Sequence, residues 1–367
     1  MTGTLAATLI DRAFQERLGA LLEERAPRID AAELAAQSTV RLLVTEGLLP
    51  TVERESPRVP APFDLLRAGE LLATVAWFDL ASAFSLWCHM MTMLYLAWAE
   101  PGSVLREQWL GELTRAERDG STALATALGH AQTGRPLPVQ ASGQASGGIV
   151  LNGFVPWASN LTERFLVVTP VQSGSDTLVV AVPSETPGVF VEPYPRLLAL
   201  QATASTTVRF QDALVAAEFV LARDALAFLR TVQPAFLALQ ASFCWGLAAR
   251  ALAEARGHLR GVNVVFEPDI AEAEAELTAA ARALRSLLAQ ALGSADHELR
   301  WRALELRLAT MRLACRAVAL EAKTKGGQAY RAESGTARRL RESLFLPIQT
   351  PTEGQLLWEL QRSNWST

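Results

Sequence analysis

The chain has few of the residues that support metal binding or disulfide bonding. Only three of its 367 residues are cysteine. Cys88, Cys244 and Cys315 lie in apolar, helix-like segments without paired spacing, so we expect reduced core thiols rather than disulfides or zinc ligands. The chain has four histidines and no His-x-x-x-His or paired carboxylate–histidine motif, so no metal site is predicted.

A basic surface is also missing. The formal net charge is −4 and the sequence pI is about 5.8, which gives no indication of binding to nucleic acid or anionic lipid. The N-terminal residues lack a basic segment followed by an apolar run, so no signal peptide is predicted. The most apolar window, 71–99, contains Asp79 and His89 and is interpreted as buried helix, not as a membrane span. We expect a cytoplasmic protein.

Three widespread catalytic and nucleotide-binding motifs are absent. The chain has no P-loop, no G-x-G-x-x-G after a predicted strand and no G-x-S-x-G elbow. P-loop enzymes, enzymes with the Rossmann dinucleotide fingerprint and α/β-hydrolases are therefore disfavoured.

The chain does show two changes of pattern along its length. Residues 1–120 have helical periodicity and predict an N-terminal helical domain. Between 121 and 222, short Val/Leu/Phe runs separated by Gly, Ser, Asp and Pro predict a central antiparallel β-barrel. From 223 to 367, long Ala/Leu/Arg-rich stretches predict a C-terminal four-helix bundle. The expected fold class is α+β.

The segment VLNGFVPWASN at 150–160 is the most informative stretch. It is predicted to form a strand, a tight turn and a second strand. Alternate residues of a strand point to the same face, so Trp157 and Ser159 are expected to present an indole beside a hydroxyl. This pair suits a planar heteroaromatic cofactor such as a flavin, and the alternative is a buried tryptophan in a β-core.

The order of the three regions and four local sequences resemble the acyl-CoA dehydrogenase superfamily. LNGFVPWASN at 151–160 is similar to the family's LNG-x-x-x-W-I-T-N segment, and GGQAY at 326–330 is similar to its GG-x-GY segment. GLAARALAEA at 246–255 resembles the long helix after the family's barrel, and VRFQDALVAAEFVL at 208–221 resembles the strand and loop that end the barrel.

The resemblance implies FAD or FMN as cofactor. Trp157 would stack near the isoalloxazine ring and Ser159 would hydrogen-bond it. Gly326 and Gly327 would bring a backbone close to the cofactor pyrophosphate of a neighbouring subunit, since glycine has no side chain to block a bulky anion. This role implies a homodimer or homotetramer. The alternative for the glycine pair is an ordinary helix-ending turn.

Further cofactor contacts are less closely matched. Thr126 and Thr133 lie in a predicted loop that corresponds to the family's T-E-P-x-A-G-S-D segment, and they are candidates for its two hydroxyls. Lys323 stands where the family often has a glutamine and is a candidate for contact with a phosphate. Arg256 is a candidate for the family's adenosine contact.

The family's catalytic carboxylate has no acidic counterpart in this chain. The Y-E-G-T segment corresponds to QTPT at 349–352, which places Thr350 at the glutamate position and makes Thr352 a candidate cofactor contact. Members that carry the base on the first helix after the barrel would have it near Phe236. Removing the weakly acidic α-proton of an acyl thioester requires a positioned carboxylate, which neither residue supplies.

Three functions stay open, and the first is favoured. It is a flavin-dependent oxidoreductase with monooxygenase-type chemistry on a small molecule, which needs an apolar pocket but no α-proton base. The second is an acyl-thioester dehydrogenase whose base is relocated to His130 or Glu353, since histidine can exchange protons near neutral pH. The third is a flavin-free partner subunit of the same fold.

Overall fold

Helices flank a sheet in the middle of the chain. The computed structural model describes residues 8–50, 63–100, 102–143, 148–291 and 296–363. The helices before the sheet are α1 (Arg12–Asp30), α2 (Gln37–Thr45), α3 (Leu65–Phe78), α4 (Leu80–Ala97), a π-helical turn (Leu105–Trp109) and α5 (Leu110–Thr114). Helix α6 (Ala125–Thr133) interrupts the strands. The helices after them are α7 (Ala225–Gly257), α8 (Glu267–Leu288), α9 (His297–Lys325), α10 (Gly335–Ser343) and α11 (Glu353–Ser363).

Eight strands form one mixed sheet between Asp119 and Ala222. They are β1 (Asp119–Thr122), β2 (Val139–Gly143), β3 (Ile149–Ala158), β4 (Phe165–Ser173), β5 (Asp176–Pro183), β6 (Val189–Val191), β7 (Thr206–Val215) and β8 (Val220–Ala222). Their order is β6-β7-β3-β2-β4-β5-β8, with β1 paired to β4. The α+β class and the sequence of helical region, sheet and helical region are confirmed.

The predicted antiparallel barrel is not confirmed. Among the described residues the two end strands, β6 and β8, do not pair with each other, so the sheet is open. Each is only three residues long, which leaves few backbone groups for closure. The sheet is also mixed, since β1 and β2 both run parallel to β4. Parallel pairing needs a long connection, and α6, β2 and β3 lie between β1 and β4.

Gly153 accounts for a second difference from the prediction. The segment 150–160 was expected to turn, but β3 runs through it as one strand to Ala158. Gly153 has a φ of 122°, and a Cβ there would lie 2.2 Å from the carbonyl oxygen of Pro138. The glycine therefore allows a local shift in register between Leu151 and Gly153 rather than a hairpin turn.

Aspartate side chains fix the starts of several helices. Asp79 ends α3 and also caps α4, accepting from the Ser82 N–H at 2.6 Å. Asp224 caps α7 in the same way.

Two helices are buried along most of their length. The apolar windows of α4 and α7 have the length and composition of membrane spans, yet they are 100% and 94% buried within the fold. Such burial is typical of core helices.

The C-terminal region is helical, and α7 is its central element. It packs against α8 and α9 and also against α3 of the N-terminal region. At the contact with α3, a Cβ added to Gly246 would lie 2.1 Å from the Ala73 carbonyl oxygen. The two backbones thus approach each other closely.

The structure does not test the predicted domain limits at 120 and 222, which stay predictions.

Replacing Gly246 with alanine should destabilise the protein. The new methyl group has no room against the α3 backbone, so we expect the free energy of unfolding to fall by about 1–3 kcal/mol. Gly257→Ala is the matched control at the end of the same helix, where a Cβ meets nothing within 4 Å. Urea denaturation measures both variants, and equal stabilities would contradict the close packing.

A buried cluster of charges lies where α10 meets the junction of α3 and α4. A Glu342 carboxylate oxygen accepts from the Leu80 N–H at 3.1 Å and lies 3.9 Å from Arg338 Nε. Arg338 also donates to the Phe78 carbonyl at 2.8 Å. Burial raises the pKa of Glu342 to about 7, against the opposing effect of Arg338 and with a further increase from the charge of Asp79.

Replacing Glu342 with glutamine should change the pH dependence of stability. Because the folded-state pKa is raised, the unfolded chain ionises first, and the stability that protonated Glu342 contributes is lost as pH rises through about 7. We expect the unfolding free energy of the wild type to fall, relative to that of Glu342→Gln, between about pH 5 and about pH 8. Denaturant titrations of both proteins measure this, and a constant difference across the range would show that Glu342 does not titrate there.

Candidate functional site

A cavity of about 420 Å³ lies where the end of β3, helices α4 and α7, and the segments 197–205 and 341–350 meet. This size is within the range of roughly 300–1,000 Å³ that is typical of small-molecule sites. In the part of the chain that the structure describes, none of the lining residues is aspartate, glutamate or histidine. Within the described ranges, no group of three or more His, Cys, Asp or Glu residues is arranged to hold a metal ion.

Aromatic side chains form one wall of the cavity. The Trp87 ring stacks on Phe84 at 5.7 Å between centroids and meets Phe236 edge-on at 4.8 Å. Phe84 in turn meets Phe345 edge-on at 4.9 Å. Such pairs contribute about 0.5–1.5 kcal/mol each beyond their buried area, so they hold the wall in place. Burial raises the pKa of the Cys88 thiol beside them, so this cysteine is protonated at neutral pH and is not a nucleophile.

The mouth of the cavity is apolar. Trp157, Leu198, Leu344 and Ile348 all line it, and each is 60–69% exposed. Large hydrophobic side chains gathered in one exposed place are typical of a binding site. The indole of Trp157 is therefore accessible to a ligand and is not sealed within the core of the sheet.

A chain of hydroxyls lies beside the indole. Ser159 Oγ lies 2.7 Å from Ser205 Oγ, which lies 2.7 Å from Thr203 Oγ1. The Thr203 hydroxyl donates to the Leu200 carbonyl at 2.7 Å, so Ser205 must donate to Thr203 and Ser159 must donate to Ser205. Ser159 is left with a lone pair and acts toward a ligand as an acceptor.

The polar end of the cavity is built on a buried guanidinium. Arg307 is fully buried and donates to Gln240 Oε1 at 3.0 Å, to the Leu346 carbonyl at 3.0 Å and to Gln349 Oε1 at 3.2 Å. All three partners are uncharged. Arg307 Nη1 has no hydrogen-bond partner among the described residues. The positive charge is therefore solvated by neutral dipoles rather than by a carboxylate.

Arg307 fixes the orientation of two glutamine amides. Arginine only donates, so the amide oxygens of Gln240 and Gln349 face it and their amide nitrogens face elsewhere. Gln240 Nε2 donates to the Thr350 carbonyl at 3.0 Å and so holds the segment that carries Thr350. Gln349 Nε2 and Trp87 Nε1 belong to lining residues and have no acceptor in the described part of the chain.

The structure brings three of the predicted site residues together. Trp157, Ser159 and Thr350 all line the cavity. Phe236, at the alternative position for the base, lines it as well. The two positions that the resemblance assigned to a catalytic carboxylate therefore face one cavity, and neither is acidic.

Two predicted residues at the start of α11 lie outside the cavity lining. Glu353 accepts from Arg312 Nε at 2.7 Å. Thr352 donates its N–H to Gln355 Oε1 at 2.8 Å and accepts the Gln355 N–H at its hydroxyl at 3.2 Å. This reciprocal pattern is that of a capping box, so Thr352 has a structural partner here.

The predicted loop with Thr126, His130 and Thr133 is wrong, because these residues belong to helix α6. Both threonine hydroxyls donate to backbone carbonyls three and four residues earlier, at 2.9 and 2.7 Å. His130 Nδ1 lies 2.6 Å from the carbonyl oxygen five residues later. Gly134 ends the helix in the left-handed conformation, with a φ of 68°. None of the three candidate residues lines the cavity.

The remaining predicted residues lie at the surface near the end of α9 and the α7–α8 connection. Arg256 pairs with two carboxylates of α8. Lys323 Nζ lies 6.0 Å from the centre of the Phe266 ring. Gly326 and Gly327 are exposed, and a Cβ on either would meet nothing within 4 Å. These residues do not line the cavity of their own chain.

The sequence prediction missed most of the cavity wall. Phe84 and Trp87 lie in a helix that is apolar on all sides, where pocket and core residues look alike. Thr203 and Ser205 belong to no recognised motif. Of the residues that the prediction missed, Arg307 is the one that the sequence could have revealed, because its charge interrupts the apolar face of α9.

No protein-family model and no curated protein matches the chain. Solved structures match it along nearly its whole length. Butyryl-CoA dehydrogenase from Megasphaera elsdenii superposes with a TM-score of 0.82 at 16% identity, covering 97% of this chain and 96% of that one. KijD3 in complex with dTDP gives a TM-score of 0.74 at 20% identity, covering 97% of each chain. Dibenzothiophene monooxygenase TdsC from Paenibacillus sp. A11-2 gives 0.72 at 16%, again covering 97% of each chain.

At these identities the similarity establishes the fold and leaves the reaction open. The resemblance seen in the sequence is confirmed at that level, and the chain has the fold of the acyl-CoA dehydrogenase superfamily.

Proposed function

We propose that this chain is a flavin-dependent oxidoreductase that binds the isoalloxazine ring of FAD or FMN against Trp157. The exposed indole and the apolar mouth fit a flat ring system, and the Ser159 lone pair fits an N–H group at the ring edge. Bound flavin supplies two-electron redox chemistry, and the protein supplies position and surroundings. The complex of KijD3 with FMN and a sugar nucleotide supports a flavin for this fold.

We infer monooxygenase-type oxidation of a small molecule rather than dehydrogenation of an acyl thioester. The observation that carries this inference is the absence of any carboxylate or imidazole among the described residues that line the cavity. Thr350 and Phe236 cannot remove a weakly acidic α-proton. The aromatic wall gives the cavity an apolar surface, which suits the oxidation of a small molecule with an apolar body.

An acyl-thioester dehydrogenase with a relocated base receives no comparable support. His130 and Glu353 lie outside the cavity lining, and Glu353 is paired with Arg312. The fold does not decide between the two reactions, because it occurs both in butyryl-CoA dehydrogenase and in dibenzothiophene monooxygenase.

A homodimer or homotetramer is part of the proposal. The segment Gly261–Phe266 carries three exposed valines, and Tyr330 is 93% exposed. Asn263 Nδ2 donates to the Thr324 carbonyl at 2.6 Å, which holds this apolar segment beside the end of α9. Apolar surface of this kind supports a subunit contact. The neighbouring glycine pair would then reach the cofactor phosphate of the second subunit.

Trp157→Ala should weaken flavin binding by about tenfold, because the variant loses the stacking surface. Gel filtration of protein incubated with FAD or FMN, followed by flavin absorbance of the protein peak, measures retention and the mass of the assembly. Phe154→Ala is the matched control, since Phe154 is an exposed aromatic residue on the same strand that does not line the cavity. Wild-type protein that retains neither cofactor would overturn the proposal and favour a flavin-free partner subunit.

Acyl-CoA thioesters should fail to reduce the bound flavin. Without a carboxylate in the cavity, the α-proton has no acceptor, so the absorbance of the oxidised flavin should persist after anaerobic addition of butyryl-CoA. NADH with a separate flavin reductase should reduce the flavin, and oxygen uptake should follow in air. Bleaching by the thioester would instead identify a dehydrogenase.

A further inference from the structure

We propose that the cavity binds planar aromatic compounds bearing an anionic oxygen, a phenolate or a carboxylate, with that oxygen at the Gln349 end. This inference rests on the proposed function, because it names the class of small molecule that would meet the flavin in the same cavity. Three features carry it: an unused donor, an uncompensated buried cation and an aromatic wall.

The amide of Gln349 can offer a ligand only its nitrogen. Arg307 Nη2 occupies Oε1 at 3.2 Å, and because arginine cannot accept, the amide cannot be reversed. Gln349 is 6% exposed, and its Nε2 has no acceptor within the described ranges. A buried donor without an acceptor is unfavourable, so a ligand oxygen that enters the cavity and reaches this nitrogen is favoured.

Arg307 makes an anionic acceptor better than a neutral one. Its guanidinium is fully buried, its partners are neutral and its Nη1 has no partner among the described residues. A charge in such surroundings is screened weakly, so its attraction for an anion extends across the Gln349 amide. Arg341, which lines the cavity, already pairs with Asp30.

The wall next to Gln349 favours a planar ring. Trp87 and Phe236 both line the cavity and meet at an interplanar angle of 78°, so the wall is aromatic and a planar ring can pack against it. Trp87 Nε1 is a second buried donor without an acceptor in the described chain. An anionic oxygen has enough lone pairs to accept from more than one donor, which a neutral nitro or ether oxygen does less well.

Calorimetric titration of flavin-loaded protein with para-nitrophenolate, para-nitrobenzoate and nitrobenzene tests the proposal. The three probes share a nitrophenyl body and differ in the anionic oxygen. We expect at least one anion to bind about tenfold more tightly than nitrobenzene, and the tighter of the two identifies phenolate or carboxylate as the preferred group. Flavin loading is measured first, so failure of the flavin proposal is recorded separately. If no flavin binds, the same titration of the flavin-free protein decides this inference.

Gln349→Leu should weaken binding of the preferred anion by about tenfold and change nitrobenzene binding by less than about twofold. Gln349→Glu should abolish the preference for anions, because its carboxylate can pair with Arg307. This variant replaces Gln349→Leu in the test if the leucine variant does not fold. Gln233→Leu is the matched control. Gln233 is buried, accepts from Arg300 Nε at 2.7 Å and has an unpartnered Nε2, but it does not line the cavity.

Nitrobenzene that binds as tightly as both anions would overturn the proposal, and so would the absence of binding by all three probes. An equal loss of anion binding in Gln233→Leu would also overturn it, because the effect would then come from a buried glutamine in general.

Discussion

The side chain of Asn160 holds the end of β3 against the N-terminal helices, and the position of the cavity depends on it. Its amide oxygen accepts from Gln37 Nε2 at 2.8 Å and from Ser85 Oγ at 2.6 Å, and its amide nitrogen donates to the Ser85 and Gly120 carbonyls, each at 2.9 Å. Asparagine also tolerates the φ of 60° found here. Because Ser85 lies within the apolar helix α4, these bonds place the aromatic wall opposite the indole of Trp157.

At the far end of the cavity, the buried guanidinium of Arg307 is the second polar group on which the site depends. Its charge is positive, whereas the charge expected at this end was negative. In this fold the resemblance assigned a carboxylate to the position of Thr350. Here that position is neutral, and the buried charge behind it is the cation Arg307. One guanidinium orients Gln240, which holds the Thr350 backbone, and Gln349, which keeps a free donor. The proposed chemistry and the proposed ligand preference therefore have one cause, a site that lacks a base and has a buried cation behind it.

The sequence predicted those parts of the fold that depend on local pattern. The long helices α7 and α9 are present, and so are strands between 121 and 222, because periodicity records which side of each element is buried. The bulge at Gly153 was missed because it depends on the Pro138 carbonyl, which reaches it only through the pairing of β2 with β3. The sequence predicts a loop where helix α6 lies, since a short stretch with glycine and threonine leaves little periodicity to detect.

The site was predictable only where a single segment carries it. Trp157 and Ser159 lie two residues apart and could be found together, whereas Trp87, Phe236 and Gln349 come from α4, α7 and the segment between α10 and α11, which meet only in the folded chain. Arg307 is the exception. It occupies the i+3 position of a group whose i, i+4 and i+7 residues, Leu304, Leu308 and Met311, are apolar. A guanidinium is buried only where acceptors meet it, so such an interruption marks a polar site inside the core even before its partners are known.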